Sequence, residues 1–262
     1  MARLKPADFD DRLTLVEHLD ELRTRIIACG FVLVIAIGLC FWQNAELLEI
    51  ANQPLPSGLE PITLSPTEPF FTTVKLSVYG GILIALPILL YQAYAFLLPA
   101  FSPREKRVVL PLLLMVPVLF IGGAVFAYYV VMPAALEFLL QFNADEFDIE
   151  VRASEYYGFF VLTLIAVGIL FQIPVGTLAV TRLGIVSPEQ LGANRRYAVL
   201  AIAIAAMLLP GTDPVTMLIS MAPLYALFEL SLLLARAFGR TSEEASSGTD
   251  VSEPDAPPGS AG

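Results

Sequence analysis

Residues 108–132 read VVLPLLLMVPVLFIGGAVFAYYVVM, a run of 25 residues that contains no charged side chain. A helix of this length is about 37 Å long, which is enough to cross a hydrocarbon core of about 30 Å. The run therefore predicts a membrane-spanning helix. The composition of the whole chain supports this interpretation, because 56% of its 262 residues are hydrophobic and only 15% are charged. Such values are typical of polytopic membrane proteins and exclude an ordinary soluble domain.

Five further apolar stretches flank this run on both sides. The fifth span is predicted to be short, because only 13 residues lie between Arg196 and Pro210, which is about 20 Å of helix. Either this helix tilts into the protein beside its neighbours, or its mismatch thins the adjacent bilayer. We predict an all-α polytopic membrane protein with six transmembrane helices, at residues 26–43, 75–98, 108–132, 157–181, 197–209 and 215–235.

The distribution of basic residues predicts the orientation of these spans. Of the 15 Lys and Arg residues, 13 lie on one side of the membrane, and only Lys75 and Arg152 lie on the other. Basic residues favour the cytoplasmic side, so we expect both termini in the cytoplasm. The outer loops are then residues 44–74, 133–156 and 210–214.

This topology divides the chain into three regions. Residues 1–25 are predicted to form a cytoplasmic amphipathic helix, and residues 26–240 form the transmembrane domain. Residues 241–262 are acidic and rich in Pro, Gly and Ser, which predicts a disordered cytoplasmic tail.

The segment before the first span, EHLDELRTRI at residues 17–26, carries charges of both signs. Glu21 and Arg25 are spaced i, i+4, and Asp20 and Arg23 are spaced i, i+3, so both pairs can form within one helix. Exposed pairs of this kind contribute only a few tenths of a kcal/mol, so stability is a poor reason for the cluster. An apolar stripe at helical spacing would let the helix lie on the membrane surface before the chain turns in, at Leu15, Leu19, Leu22 and Ile26.

The sequence has no motif for nucleotide, metal or nucleophilic chemistry and only one His. We therefore expect no enzyme, no catalytic residue, no metal site and no cofactor. Polar residues within the spans are the better functional pointers. Gln172 either satisfies a neighbouring backbone group or binds a polar group on a visiting helix, and Glu229 is expected in an ion pair or as a protonated acid. A small secondary transporter with a polar path at these two residues is the alternative function.

Several stretches, taken together, resemble the TatC family, the polytopic core of the twin-arginine protein translocase. The resemblance covers nearly all of residues 13–240 and implies a curved, cup-like wall with short fifth and sixth helices. The matching stretches are EHLDELRTR (17–25), PTEPFFTTVKLS (66–77), LPILLYQAYAFLLPAFSPREKR (86–107), AYYVVMPAALEFL (127–139), FQIPV (171–175), GIVSPEQL (184–191), RRYAVL (195–200) and MLLPGTDPVTM (207–217).

The resemblance also implies roles for individual residues. Recognition of the signal peptide falls to the N-terminal segment and the first cytoplasmic loop, with Glu21, Phe96, Glu105, His18, Leu22, Arg23 and Pro99. Contact with a partner helix falls to Gln172, where the family often has Glu, and to Met207 and Thr216. Structural or outer-loop roles fall to Pro54, Phe70, Phe71 and Asp213.

The function implied is that of a non-enzymatic translocase subunit in the bacterial cytoplasmic membrane. It would recognise twin-arginine signal peptides of folded cargo proteins, and the proton-motive force would drive export. The expected partners are single-span proteins of the TatA and TatB type and further copies of this chain, and no nucleic acid is expected. A guanidinium group suits this task because it is always charged and forks onto carboxylates, which Lys cannot do.

Overall fold

The computed structural model describes residues 15–97, 103–146, 149–182, 186–209 and 214–238. The predicted tail at residues 241–262 lies outside the described residues. Within the described ranges the backbone forms ten α-helices and one π-helical turn, in the order α1 (Leu15–Trp42), α2 (Asn44–Asn52), α3 (Glu68–Leu97), α4 (Pro103–Phe126), a π turn (Ala127–Val131), α5 (Met132–Gln141), α6 (Ala153–Leu170), α7 (Ile173–Arg182), α8 (Pro188–Ala193), α9 (Arg195–Met207) and α10 (Pro214–Phe238).

Five segments of the described chain are long and apolar enough to cross a membrane, which confirms an all-helical membrane fold. The predicted fifth span corresponds to α9, whose 13 residues extend only about 20 Å, so this helix is short, as expected, and is not one of the five segments. The sixth helix is longer than the resemblance implies, because α10 has 25 residues. The five segments are Leu19–Trp42, Glu68–Phe96, Leu113–Gln141, Ala153–Thr181 and Pro214–Leu233.

The first helix is continuous across the predicted boundary between surface segment and span. α1 runs for 28 residues without a break at residues 25–26, so the expected turn into the membrane is wrong. The physical reason is local, because no Gly or Pro occurs between Leu15 and Cys29 and most residues there favour helix. The charged segment therefore extends the first span as one rigid rod.

Two predicted loops are shorter than expected because helices extend into them. α3 begins at Glu68, so the end of the predicted loop 44–74 is helical, whereas α2 is a short helix within the start of that loop. The predicted loop 133–156 is wrong at its beginning, because the chain passes from α4 through the π turn into α5. Pro133 is accommodated in the first turn of α5, where a missing backbone N–H is tolerated.

Close packing between α1 and α3 depends on a glycine. A Cβ atom on Gly81 would lie 2.6 Å from Cγ1 of Ile37 and 2.7 Å from its backbone N and Cα. The backbones of the two helices therefore approach as closely as they do only because residue 81 has no side chain.

The interior is built mainly around α6. Its buried face includes Phe160, Leu164 and Val167, which pack with Val131 and Met132 from the π turn and α5. The outward-facing helices expose many large apolar side chains, among them Val34 in α1, which is 69% exposed. An exposed apolar surface of this extent is typical of helices that face lipid.

Candidate functional site

One end of the molecule brings together the beginning of α1, the end of α3 and the beginning of α4. α1 and α3 are antiparallel, because Arg25 contacts Gln92 whereas Ile37, farther along α1, meets Gly81. Only residues 98–102 separate the end of α3 at Leu97 from the start of α4. We call this end of the molecule, where α1 and α4 begin and α3 ends, the α1 end.

A three-residue polar cluster lies at the α1 end, formed by Glu21, Arg25 and Gln92. Oε1 of Glu21 accepts hydrogen bonds from Nη2 of Arg25 at 2.6 Å and from Nε at 3.0 Å. Nη1 of Arg25 donates to Oε1 of Gln92 at 2.6 Å and so connects α1 to α3. Arg25 and Glu21 are 25% and 27% exposed, so the pair is less accessible than an ordinary surface pair. The predicted i, i+4 pairing is confirmed.

The Glu21 carboxylate also borders an open depression on the surface of α1. The depression has a volume of about 560 Å³, and four of its five lining residues are polar or charged. It is lined by Asp20, Glu21, Arg23, Thr24 and Ile27. An incoming cationic group therefore has access to this carboxylate from solvent.

The other residues expected in recognition lie at the same end wherever the structure describes them. Leu22 is half-buried and Arg23 is exposed on α1, and Phe96 is half-buried in the last turn of α3. The side chains of His18 and Glu105 lie outside the described residues, as does Pro99 altogether. In the chain, Glu105 falls within the first turn of α4, which starts at Pro103, and its role in recognition stays a prediction.

The sequence analysis did not predict a role for Gln92. The available signal was a strongly polar side chain in the mainly apolar second half of α3, four residues before Phe96. Nothing local pointed to its partner, because Arg25 is 67 residues away in the chain.

A second concave surface, the α3–α4 groove, runs between these helices and is almost entirely apolar. Its volume is about 560 Å³, and one end carries the polar side chains of Gln53 and Tyr128. Tyr128 donates a hydrogen bond there to Oε1 of Gln53 or to the backbone O of Ile50, at 2.8 and 2.9 Å. The apolar lining includes Leu83, Ile84, Pro87, Phe120, Ile121 and Val125.

Gln172 lies at the break between α6 and α7. Its Nε2 donates to the backbone O of Val116 on α4 at 3.2 Å, and the side chain is buried. Its Oε1 has no hydrogen-bond partner in the described part of the chain. Nε2 therefore satisfies a backbone carbonyl of a neighbouring helix, as the first interpretation of Gln172 predicted. Oε1 remains available to a polar group on a visiting helix, as the second interpretation requires.

The two residues named for the transporter alternative have different polar partners in the structure. Glu229 pairs with Arg195 at 3.1 Å and accepts a hydrogen bond from Tyr225 at 2.8 Å. The expected ion pair of Glu229 is confirmed, and it joins α9 to α10, whereas Gln172 contacts α4. Of the other residues expected to meet a partner helix, Met207 is 52% exposed and Thr216 is buried.

Away from the α1 end, the carboxylate of Glu68 accepts hydrogen bonds from several donors, and the sequence analysis did not predict this cluster. Oε1 of Glu68 accepts from Nε of Arg152 at 2.8 Å and from Ser154 at 2.7 Å, and Oε2 accepts from the backbone N of Leu64 at 2.8 Å. The hydrogen bond to Glu68 raises the pKa of Arg152. Ile62 pairs with Arg152 in an isolated β-bridge. We call this cluster the Glu68 clamp, since it ties the α2–α3 loop to the segment before α6.

The residues expected in outer-loop roles lie near these loops. Pro54 lines a cavity of about 470 Å³ together with Pro133 of α5. Phe70 and Phe71 belong to the first turn of α3 and are 63% and 65% exposed. Asp213 lies outside the described residues.

Comparison with known proteins gives a consistent result over most of the chain. The family model described as Sec-independent protein translocase protein (TatC) matches residues 17–223. A Sec-independent protein translocase protein TatC of Aquifex aeolicus is 37% identical over 238 residues, which cover 88% of this chain and 98% of that protein. The TatC of Koribacter versatilis is 35% identical over 231 residues, or 85% of each chain. A crystal structure of the twin arginine translocase receptor TatC in DDM superimposes with a TM-score of 0.71 at 36% identity, over 83% of this chain and 99% of that one.

Proposed function

Because the chain belongs to the TatC family of Sec-independent protein translocase proteins, we propose that it is the receptor subunit of a twin-arginine translocase. It is a multi-pass membrane protein and a component of a translocase complex with other subunits. The proposed receptor role is to bind the consecutive Arg pair in the signal peptide of a folded cargo protein. The proposed role includes no enzymatic activity.

The observation that carries this proposal is that Glu21 already binds a guanidinium group. Two N–H groups of Arg25 converge on one oxygen of this carboxylate, and the same residue borders an open depression. The site therefore has the shape and charge that a guanidinium ligand requires. Arg recognition also explains why a cluster that contributes little to stability would be placed at this end of α1.

Two carboxylates are proposed to bind the two guanidinium groups of the Arg pair, one each. Glu21 on α1 would hold one guanidinium, and Glu105 near the beginning of α4 would hold the other. This proposal is supported by the fold, because α3 ends a few residues before α4 begins and contacts α1, so the starts of α1 and α4 lie at the same end of the molecule. Phe96, in the last turn of α3, would supply apolar surface to the same site.

The apolar part of the signal is proposed to lie along the α3–α4 groove. Ile84 in the groove and Gln92 in the polar cluster both belong to α3 and are separated by about 12 Å along the helix. A signal whose Arg pair is bound at the α1 end could place its apolar residues on this surface. Burial of apolar area would then add affinity that does not depend on the Arg pair.

Assembly is proposed to involve single-span membrane proteins of the TatA and TatB type and further copies of this chain. The unused acceptor Oε1 of Gln172 could receive a hydrogen bond from a polar residue of such a helix. The exposed side chain of Met207 at the end of the short α9 would supply an apolar contact. A short helix thins the adjacent bilayer, which suits a complex that moves folded proteins with the proton-motive force.

The excess of basic residues on one side supports an orientation with both termini in the cytoplasm of a bacterial cell. In this orientation the α1 end faces the cytoplasm, where cargo is synthesised. The Glu68 clamp then lies on the outer side, away from signal recognition.

The test compares Glu105→Gln and Glu21→Gln in their affinity for synthetic signal peptides that carry either Arg-Arg or Lys-Lys. Loss of a charge-assisted hydrogen bond costs about 1.5–3 kcal/mol, or about one to two decades in affinity. We expect this loss for the Arg-Arg peptide with Glu105→Gln and a smaller loss with Glu21→Gln, since Arg25 competes there. The Lys-Lys peptide should be nearly indifferent. Equal losses for both peptides would mean that the carboxylates act only as general negative charge.

A further inference from the structure

We propose that Arg25 is a resident occupant of the Glu21 site, which the guanidinium of a signal peptide must displace. This inference rests on the proposed function and adds a determinant of affinity that is part of the receptor itself. Arg25 would lower the affinity for every signal and conceal most of the contribution of Glu21.

The geometry at Glu21 supports displacement over simple addition. Oε1 has two lone-pair directions, and Nε and Nη2 of Arg25 take both of them. In the described part of the chain no hydrogen bond reaches Oε2. A second guanidinium could therefore form a single contact at Oε2, but a bidentate contact needs both oxygens. The bidentate arrangement becomes possible only when Arg25 withdraws.

Gln92 keeps the displaced Arg25 close to the Glu21 carboxylate. It holds Nη1 of Arg25 at 2.6 Å from the opposite side, so the displaced guanidinium keeps one partner on α3. Arg25 then remains close to the carboxylate and returns when the signal leaves. The contact also means that loosening Arg25 changes the link between α1 and α3.

At Glu21 the exchange replaces one guanidinium–carboxylate interaction with another of the same kind. A signal guanidinium that replaces Arg25 gains hydrogen bonds of the same kind as those that are lost. The net gain at Glu21 is therefore small in the native protein, although the carboxylate itself binds guanidinium well. Removing Arg25 should make the full contact available to the signal.

The experiment is a double-mutant cycle on the affinity for a fluorescent Arg-Arg signal peptide, with the full-length protein in nanodiscs. Arg25→Gln is expected to tighten binding by about three- to tenfold. Glu21→Gln should weaken binding by less than about threefold in the native background, and by about tenfold when Arg25→Gln is present. In the Glu21→Gln background, Arg25→Gln should have almost no effect.

Two further variants separate exchange from other roles of Arg25. Arg25→Lys retains the charge but loses the two converging N–H groups, and it should still tighten binding, although less than Arg25→Gln. Gln92→Ala removes the second anchor of Arg25 and should tighten binding slightly. Thermal unfolding of each variant checks that the protein is folded, and Arg25→Lys keeps the test decisive if Arg25→Gln is unstable.

The outcomes that overturn the inference are distinct. Weaker binding with Arg25→Gln would make Arg25 a positioning residue for the carboxylate. Tightening by Arg25→Gln that persists in the Glu21→Gln background, with no effect of Arg25→Lys, would reduce its role to charge repulsion. If Glu21→Gln has no effect in either background while Glu105→Gln weakens binding, only the inference fails. If the native protein binds no Arg-Arg peptide, the proposed function fails with it.

Discussion

Replacement of Gly81 by Ala is expected to push α1 and α3 apart and to destabilise the protein. The new Cβ atom would lie 2.6 Å from Cγ1 of Ile37 and 2.7 Å from two backbone atoms of that residue. Nonbonded carbon atoms are most favourably separated by about 3.5–4.0 Å, so the helices must separate by about 1 Å at this point. A rotamer change of Ile37 cannot relieve the clash, because backbone atoms take part in it.

The magnitude follows from two opposing terms. Overpacking a well-packed interior costs about 1–3 kcal/mol, whereas Ala in place of Gly within a helix recovers about 0.5–1 kcal/mol. The net loss for Gly81→Ala is therefore about 0–2.5 kcal/mol. Gly38→Ala, in α1, is the matched control, because its Cβ would meet no atom within 4 Å. That substitution should be neutral or should stabilise by up to about 1 kcal/mol.

The assay is unfolding of both variants and the native protein in the same detergent, followed by heat or by denaturant. Signal affinity measured on the same samples shows whether the displacement reaches Gln92, which is about 16 Å farther along α3. If Gly81→Ala is as stable as Gly38→Ala, the close approach of α1 and α3 does not exist in the folded protein. The contact between Gly81 and Ile37 would then not position the candidate site.

Three further predictions concern other parts of the molecule. Glu68→Gln should increase the rate of protease cleavage in the loop before α3, because the clamp loses the negative charge that pairs with Arg152. The control Glu60→Gln changes an exposed side chain in the same loop and should leave the cleavage rate unchanged. Equal rates in the two variants would show that the clamp does not hold the loop. Single Cys probes in a chain without native Cys should label from outside the cell at Ser57 and be protected at Ser187, and the reverse pattern would contradict the orientation. Gln172→Leu should reduce crosslinking to a single-span partner in a folded protein, and unchanged crosslinking would restrict Gln172 to its contact with α4.

Features that depend on neighbouring residues could be predicted from the sequence. Glu21 and Arg25 pair as their spacing requires, because residues four apart face each other on any helix. The short length of α9 followed from the number of residues between Arg196 and Pro210, which no packing can lengthen. The membrane-spanning helices likewise followed from length and apolar content.

Features that depend on distant residues were decided only by the tertiary structure. Arg25 finds Gln92 across 67 residues, and Glu68 finds Arg152 across 84 residues, and the sequence contains no local sign of either partner. Pro133 was predicted to end a span, yet the preceding π turn lets the helix continue. The reason is that local propensity and hydropathy act on each segment separately, whereas the pairing of charges and the register of packed helices depend on which backbones approach closely. The approach at Gly81 and Ile37 is one such contact, and it brings the charged end of α1 against α3.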